Sequence, residues 1–198
     1  MKKNIITISR QFGSGGHTIG MKVAEDLGIP YYDQELVEKI SEESGYAYEI
    51  VNDEDEEAPL RSRFVYNFVG RDPQGLSIPD RLWAAECRVI RETADQGPCV
   101  IIGRCADFLL KDRADVLKVF IHADMDYRCK RIVDRFGETR EKPVHRIKEK
   151  DGKRAAHYRY YTGQKWGRAE NYHISINSGE FGIDETARLI EQIVRDSE

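Results

Sequence analysis

The stretch ITISRQFGSGGHTIG, residues 6–20, constrains the fold of this chain more than any other. Isoleucines at 5, 6 and 8 make Asn4–Ser9 a buried strand. From about His17 the period changes: Ile19, Val23 and Leu27 lie four apart on one helical face, and Gly28 stands where a C-terminal cap belongs. Between strand and helix the chain turns through Gly13, Gly15 and Gly16. A loop so placed presents several backbone N–H groups to an anion, and the helix N-terminus adds roughly half a positive charge. Glycines are needed there because side chains block the approach and forbid positive-φ turns. Gly13, Ser14, Gly15, Gly16, His17 and Thr18 are therefore the candidate phosphate-binding residues.

The loop nonetheless departs from the pattern G-x-x-x-x-G-K-[ST]. With Gly16 as the last glycine the lysine position holds His17, and with Gly15 it holds Gly16. The usual cation for the β- and γ-phosphates is absent. Arg10, at the end of the first strand, is the first candidate to replace it, since a guanidinium can fork across two phosphate oxygens. A rival reading takes Gly13-x-Gly15-x-x-Thr18 as a broken dinucleotide fingerprint. Asp33 then lies 20 residues after Gly13, where a ribose-binding acid belongs. That pattern points to a nicotinamide-dependent oxidoreductase.

Beyond Gly28 the chain alternates strands with helices. IPYYD reads as a short strand and Gln34–Ser44 as a helix, with a further helix over Asp80–Asp95. The apolar runs CVIIG (99–103) and VLKVFIHA (116–123) read as strands, each followed by helical pattern, at 106–111 and 125–136. YHISIN (172–177) is a strand and the last helix starts near Asp184. Alternation of this kind predicts an α/β three-layer sandwich, a parallel sheet with helices on both faces. Ligands then bind beyond the carboxyl ends of the strands, where the loops at Arg10–Gly16 and Gly103–Arg104 meet. At 198 residues the chain reads as one domain. Residues 45–79, with NDEDEE at 52–57, read as a substrate-side insertion, and 138–168 as a basic helical lid.

Charge is unevenly spread. The net charge is −4, yet Arg128–Arg168 holds 14 Lys/Arg against 5 Asp/Glu. Such an excess suits clustered phosphates. Nucleic acid would also fit it, but the chain lacks the motifs of such binders. No apolar run approaches the roughly 20 residues of a membrane helix, and MKKNIITIS has only a strand-length apolar stretch, a poor leader. Cys87, Cys99, Cys105 and Cys129 show no CxxC spacing and read as idle thiols of a cytoplasmic protein.

Taken together, ITISRQFGSGGHTIG, IPYYDQELV, CVIIGRCADFLL, YRYYTGQKWGRAENYHISINS and GIDET resemble the cytidylate kinase-like family, a branch of the P-loop nucleoside monophosphate kinases. The resemblance covers essentially the whole chain. It places Gly16 at the lysine position and Thr18 two residues on, at a hydroxyl position, and members of the branch commonly have GSGG here. Gly103–Arg104 is similar to a Gly-Arg whose arginine contacts the monophosphate substrate. Asp151-x-x-Arg154 resembles a motif of the substrate and lid region, although Ile147 and Lys148 stand where the family has an arginine–aspartate pair. The acidic stretch at 52–57 has no counterpart in the family.

The resemblance implies ATP-dependent phosphoryl transfer to a nucleoside monophosphate, CMP or dCMP foremost, with ATP and Mg2+ as cofactors. Such transfer passes through a loose transition state, so the protein positions reactants and neutralises charge rather than supplying a nucleophile. The expected catalytic cations are Arg10, Arg154 and Arg159, with Arg146, Lys150 and Lys153 as further lid charges. Asp33, Arg104 and Asp151 are the expected substrate contacts, and Thr18 and Asp33 the expected oxygen ligands of magnesium. A regulatory module that binds nucleotide through a degenerate loop, without turnover, is the alternative that keeps the same fold.

Overall fold

The computed structural model describes residues 2–45 and 78–197; most of the expected insertion at 45–79 lies outside them. Five strands form one parallel sheet: β1 (Ile5–Arg10), β2 (Tyr31–Tyr32), β3 (Cys99–Ile102), β4 (Val116–His122) and β5 (Ile174–Asn177), in the order β2-β3-β1-β4-β5. In this order β3 lies between β1 and β2. A dinucleotide-binding sheet, with order 3-2-1-4-5, keeps those two strands adjacent. The topology thus removes the frame that the oxidoreductase reading needs.

Seven helices cover the sheet among the described residues: α1 (Gly16–Leu27), α2 (Gln34–Ser44), α3 (Ile78–Asp95), α4 (Ala106–Leu109), α5 (Met125–Phe136), α6 (Pro143–Thr162) and α7 (Ser178–Asp196). Both faces of the central strands β1, β3 and β4 are buried, so these strands are mostly apolar and successive side chains serve opposite cores. Ile6, Ile8, Val100, Ile102 and Val119 pack with Ile19 and Val23 of α1 and Ile190 of α7. Ile5, Cys99, Ile101 and Val116 pack on the other side with Leu36 and Ile40 of α2 and Val89 and Ile90 of α3. The three-layer arrangement expected from the alternation is present.

Local signals explain most boundaries. Gly28 closes α1 in the left-handed conformation (φ 65°), its N–H reaching the carbonyls of Ala24 and Glu25. Pro143 opens α6 at a position where the missing N–H is not needed. Two boundaries differ from the sequence reading. The helix after β3 is only four residues long. The last helix begins at Ser178 rather than near Asp184, because the Asn177 carboxamide accepts the Gly179 N–H and caps it. A break at Gly182 (φ 77°) follows, which is why SGEFG reads as loop in the sequence.

Candidate active site

The loop after β1 is built by its glycines and by one buried serine. Gly13 and Gly15 take positive φ (81° and 83°). The space above Gly13 is filled by α5: an ideal Cβ there would lie 2.9 Å from Ile132 Cγ2 and 3.0 Å from the Arg128 carbonyl. Between these turns Ser14 points inward and is fully buried. Its hydroxyl donates to the Gln11 carbonyl at 2.8 Å, and its own carbonyl accepts from Ser178 Oγ at 2.6 Å. Ser14 therefore ties the loop to β4 and α7, and its side chain points into the protein.

Gly16 and Arg10 are coupled. A Cβ at Gly16 would lie 2.4 Å from Arg10 Cβ and 2.9 Å from its Cγ. The Arg10 side chain thus fills the space into which a residue at the lysine position would grow. Its guanidinium continues over Gly103, where a Cβ would meet Nη1 at 2.1 Å. Asp33, at the end of β2, faces the same guanidinium at 3.9 Å and also His17 Nε2 at 3.4 Å. The Tyr31 hydroxyl donates to the Asp33 carboxylate at 3.2 Å. Burial, with the neighbouring guanidiniums of Arg10 and Arg135, lowers the His17 pKa although Asp33 opposes them. The imidazole is neutral at pH 7.

Two adjoining cavities result. The larger, about 450 Å³, is lined by the loop glycines together with Arg10, Arg131, Arg135 and Arg154. The smaller, about 60 Å³, is lined by Ser9, Arg10, Gly103, Arg104, Arg154 and Trp166 among others. Arg10 and Arg154 line both and stand between them. Arg104 is buried against Glu86 (Nη1 to Oε1, 3.1 Å) and held at φ 50°, a conformation few non-glycine residues adopt.

The basic helix α6 is bolted to the loop along one face. Asp151 accepts the Phe12 N–H at 2.7 Å and an Arg128 N–H at 2.5 Å. Arg154 donates to the Arg10 carbonyl at 3.1 Å. Tyr158 donates to the buried Asp107 at 2.7 Å, which also accepts from Ser9 Oγ at 3.1 Å. Burial raises the Asp107 pKa, against the effect of those two donors. Asp151 is thus a strut under the loop, outside the lining of both cavities. Arg159 is exposed and lines neither cavity. Five residues beyond Arg154 on a helix is a rotation of roughly 140°, which turns it away from the inward face.

Sequence reasoning missed Arg131 and Arg135. Both donate to the Thr18 hydroxyl oxygen, at 3.1 and 2.9 Å. The available signal was spacing: Arg128, Arg131 and Arg135 fall at i, i+3 and i+7 in the helix after β4. These contacts bear on the expected magnesium ligands. Both lone pairs of the Thr18 hydroxyl face guanidinium donors, and Asp33 faces Arg10, His17 and Tyr31. Among the described residues no group of three His, Cys, Asp or Glu side chains is placed to hold a metal ion. The donor set does not fit a divalent cation held by Thr18 and Asp33.

A glycine loop closed on a helix N-terminus and flanked by four cavity-lining arginines, at the carboxyl edge of a parallel sheet, has the architecture of a P-loop. A model of the cytidylate kinase-like family matches residues 5–180, and the chain belongs to that family. It is 25% identical to the cytidylate kinase of Aeropyrum pernix over 184 residues, 92% of this chain and 94% of that protein. The crystal structure of an uncharacterized protein from Eubacterium ventriosum superposes with a TM-score of 0.72 at 27% identity, over 98% of this chain and 99% of that one. Shikimate kinase from Acinetobacter baumannii, solved with shikimate, shares the fold with a TM-score of 0.53 at 17% identity, over 98% of this chain and 94% of that one. The family is one of nucleotide kinases. Among the described residues no helix is long and apolar enough to cross a membrane.

Proposed function

We propose that this chain transfers the terminal phosphoryl group of ATP to a nucleoside monophosphate, CMP or dCMP foremost, with Arg10 as the cation of its phosphate loop. The observation that carries this reading is the interlock of Arg10 with Gly16 and Gly103. The side chain that fills the place of the missing lysine is itself a cation, and it lies between the two cavities. The larger cavity has room for the donor's polyphosphate. The smaller takes little more than a phosphate, which suits the acceptor's monophosphate beside Arg104. Transfer between them passes Arg10 and Arg154, whose charges neutralise the equatorial oxygens of the moving group where charge builds. The choice of cytidine rests on the family and on the relatives' names.

Each residue then has a defined task. Loop amides and the α1 N-terminus bind the donor phosphates. Arg10 and Arg154 bridge donor and acceptor, and Arg104 orients the acceptor phosphate. Residues 138–168 act as a lid whose base is already pinned by Asp151 and Tyr158. The experiment is an ADP-release assay with ATP over a panel of nucleoside monophosphates. Turnover strongest with CMP or dCMP is the expected result. Folded protein that binds ATP and turns over none of them would refute the kinase reading and leave nucleotide binding without catalysis.

A further inference from the structure

We propose that Thr18 is the resting acceptor of a two-arginine clamp, Arg131 and Arg135, which grips the donor's polyphosphate without requiring a divalent cation. This rests on the reading that a polyphosphate donor occupies the larger cavity. Arg131 Nη2 and Arg135 Nη1 converge on a single hydroxyl oxygen, at 3.1 and 2.9 Å. A hydroxyl oxygen has two acceptor sites, and both are taken. A metal ion at Thr18 would have to displace both guanidiniums and then sit beside their positive charge.

A neutral hydroxyl is a weak partner for an arginine compared with an anionic oxygen. Four other arginines pair with carboxylates: Arg10 with Asp33, Arg104 with Glu86, Arg113 with Asp115 and Arg128 with Asp151. Among the described residues neither Arg131 nor Arg135 has a carboxylate within 4 Å. Both line the larger cavity beside the loop. Gly15 gives room to one of them as well as to Ile183: a Cβ there would stand 3.2 Å from Arg131 Nε and 3.4 Å from its Cζ, with Ile183 Cδ1 nearer still. The missing side chain lets that guanidinium approach the start of α1, where the first helical N–H groups also await an anion. Two uncompensated cations, a helix end and a hydroxyl that holds the cations in place make an anion site already assembled. On binding, phosphate oxygens replace the Thr18 hydroxyl as acceptor, and no bond to the chain forms or breaks.

The test is calorimetric titration of the full chain with sodium tripolyphosphate and with ATP, in EDTA and in excess magnesium, with no acceptor present. Wild-type affinities within about threefold of each other in the two conditions are expected. Arg131→Gln and Arg135→Gln each weaken binding about tenfold in both conditions, the size of one charge-assisted hydrogen bond. Thr18→Val binds at least as tightly as wild type, because both guanidiniums are released. Thermal melts of the three variants check that each is folded. Binding that vanishes in EDTA, with the arginine variants like wild type and Thr18→Val impaired only in magnesium, would overturn the clamp while leaving the kinase reading intact. No binding of either ligand in either condition would overturn both.

Discussion

Replacing Gly16 by alanine tests whether Arg10 occupies the lysine's place. Its backbone is helical, so alanine is allowed there and only space is at issue. The new Cβ would stand 2.4 Å from Arg10 Cβ and 3.5 Å from Ile121 Cβ. Arg10 Cβ is fixed by the end of β1, in register with Ile121 of β4, so it cannot yield as a side-chain tip would. The clash belongs to the overpacking class, about 1–3 kcal/mol. For a chain of this length each kcal/mol lowers Tm by about 2–4 °C. The relief is specific. Arg10→Ala removes the Cγ contact at 2.9 Å but keeps the offending Cβ and so most of the cost of Gly16→Ala, whereas Arg10→Gly removes both. A double-mutant cycle by urea denaturation should give a coupling of about 1–3 kcal/mol between Gly16→Ala and Arg10→Gly, and a much smaller one with Arg10→Ala. Gly16→Ala as stable as wild type, or equal rescue by both Arg10 variants, would refute the interlock.

Two further outcomes follow from the buried charges. Asp107 has its pKa raised by burial, so the native state holds its proton more tightly than the unfolded chain. Its contribution to stability is greatest at low pH and falls as pH rises from the ordinary carboxylate value through the raised one. Asp107→Asn should therefore lose ground to wild type at pH 4 and recover it by pH 7 in urea melts, and a constant difference across that range would contradict the assignment. Arg104→Met takes the paired cation from the buried Glu86 carboxylate and should cost about 3–5 kcal/mol, most of it regained in Glu86→Leu/Arg104→Met, since a buried pair replaced by apolar residues is close to neutral. Equal instability of the single and double variants would show that Arg104 acts through something other than Glu86.

How legible this was in the sequence depends on how local each signal is. The strands and most helices follow from periodicity, since isoleucines on both faces of β1 and the four-residue spacing in α1 report burial directly. Arg10 stood out because the loop lacked a cation and the strand ended in one. Ser14 was misread because a glycine-loop pattern treats every residue as ligand-facing, while the positive-φ turns at Gly13 and Gly15 rotate the residue between them inward. Arg159 was misread, and Arg131 and Arg135 passed over, for one reason. Among 14 cations in Arg128–Arg168, charge says nothing about phase, and phase counts only once the packed faces of α5 and α6 are known. Asp151 was read as a substrate contact, and nothing in the sequence set Asp107 apart from a helix cap. Their partners, the Phe12 N–H and Tyr158, lie 139 and 51 residues away in sequence.

The measurement closest to the central claim is the rate of phosphoryl transfer from ATP to CMP by wild type and Arg10→Ala, at saturating substrates and with folding verified for both. If Arg10 is the loop's cation, kcat falls about a hundredfold or more, as when a preorganised donor to the transition state is removed. An Arg10→Ala protein that turns over CMP at the wild-type rate would place the cation elsewhere.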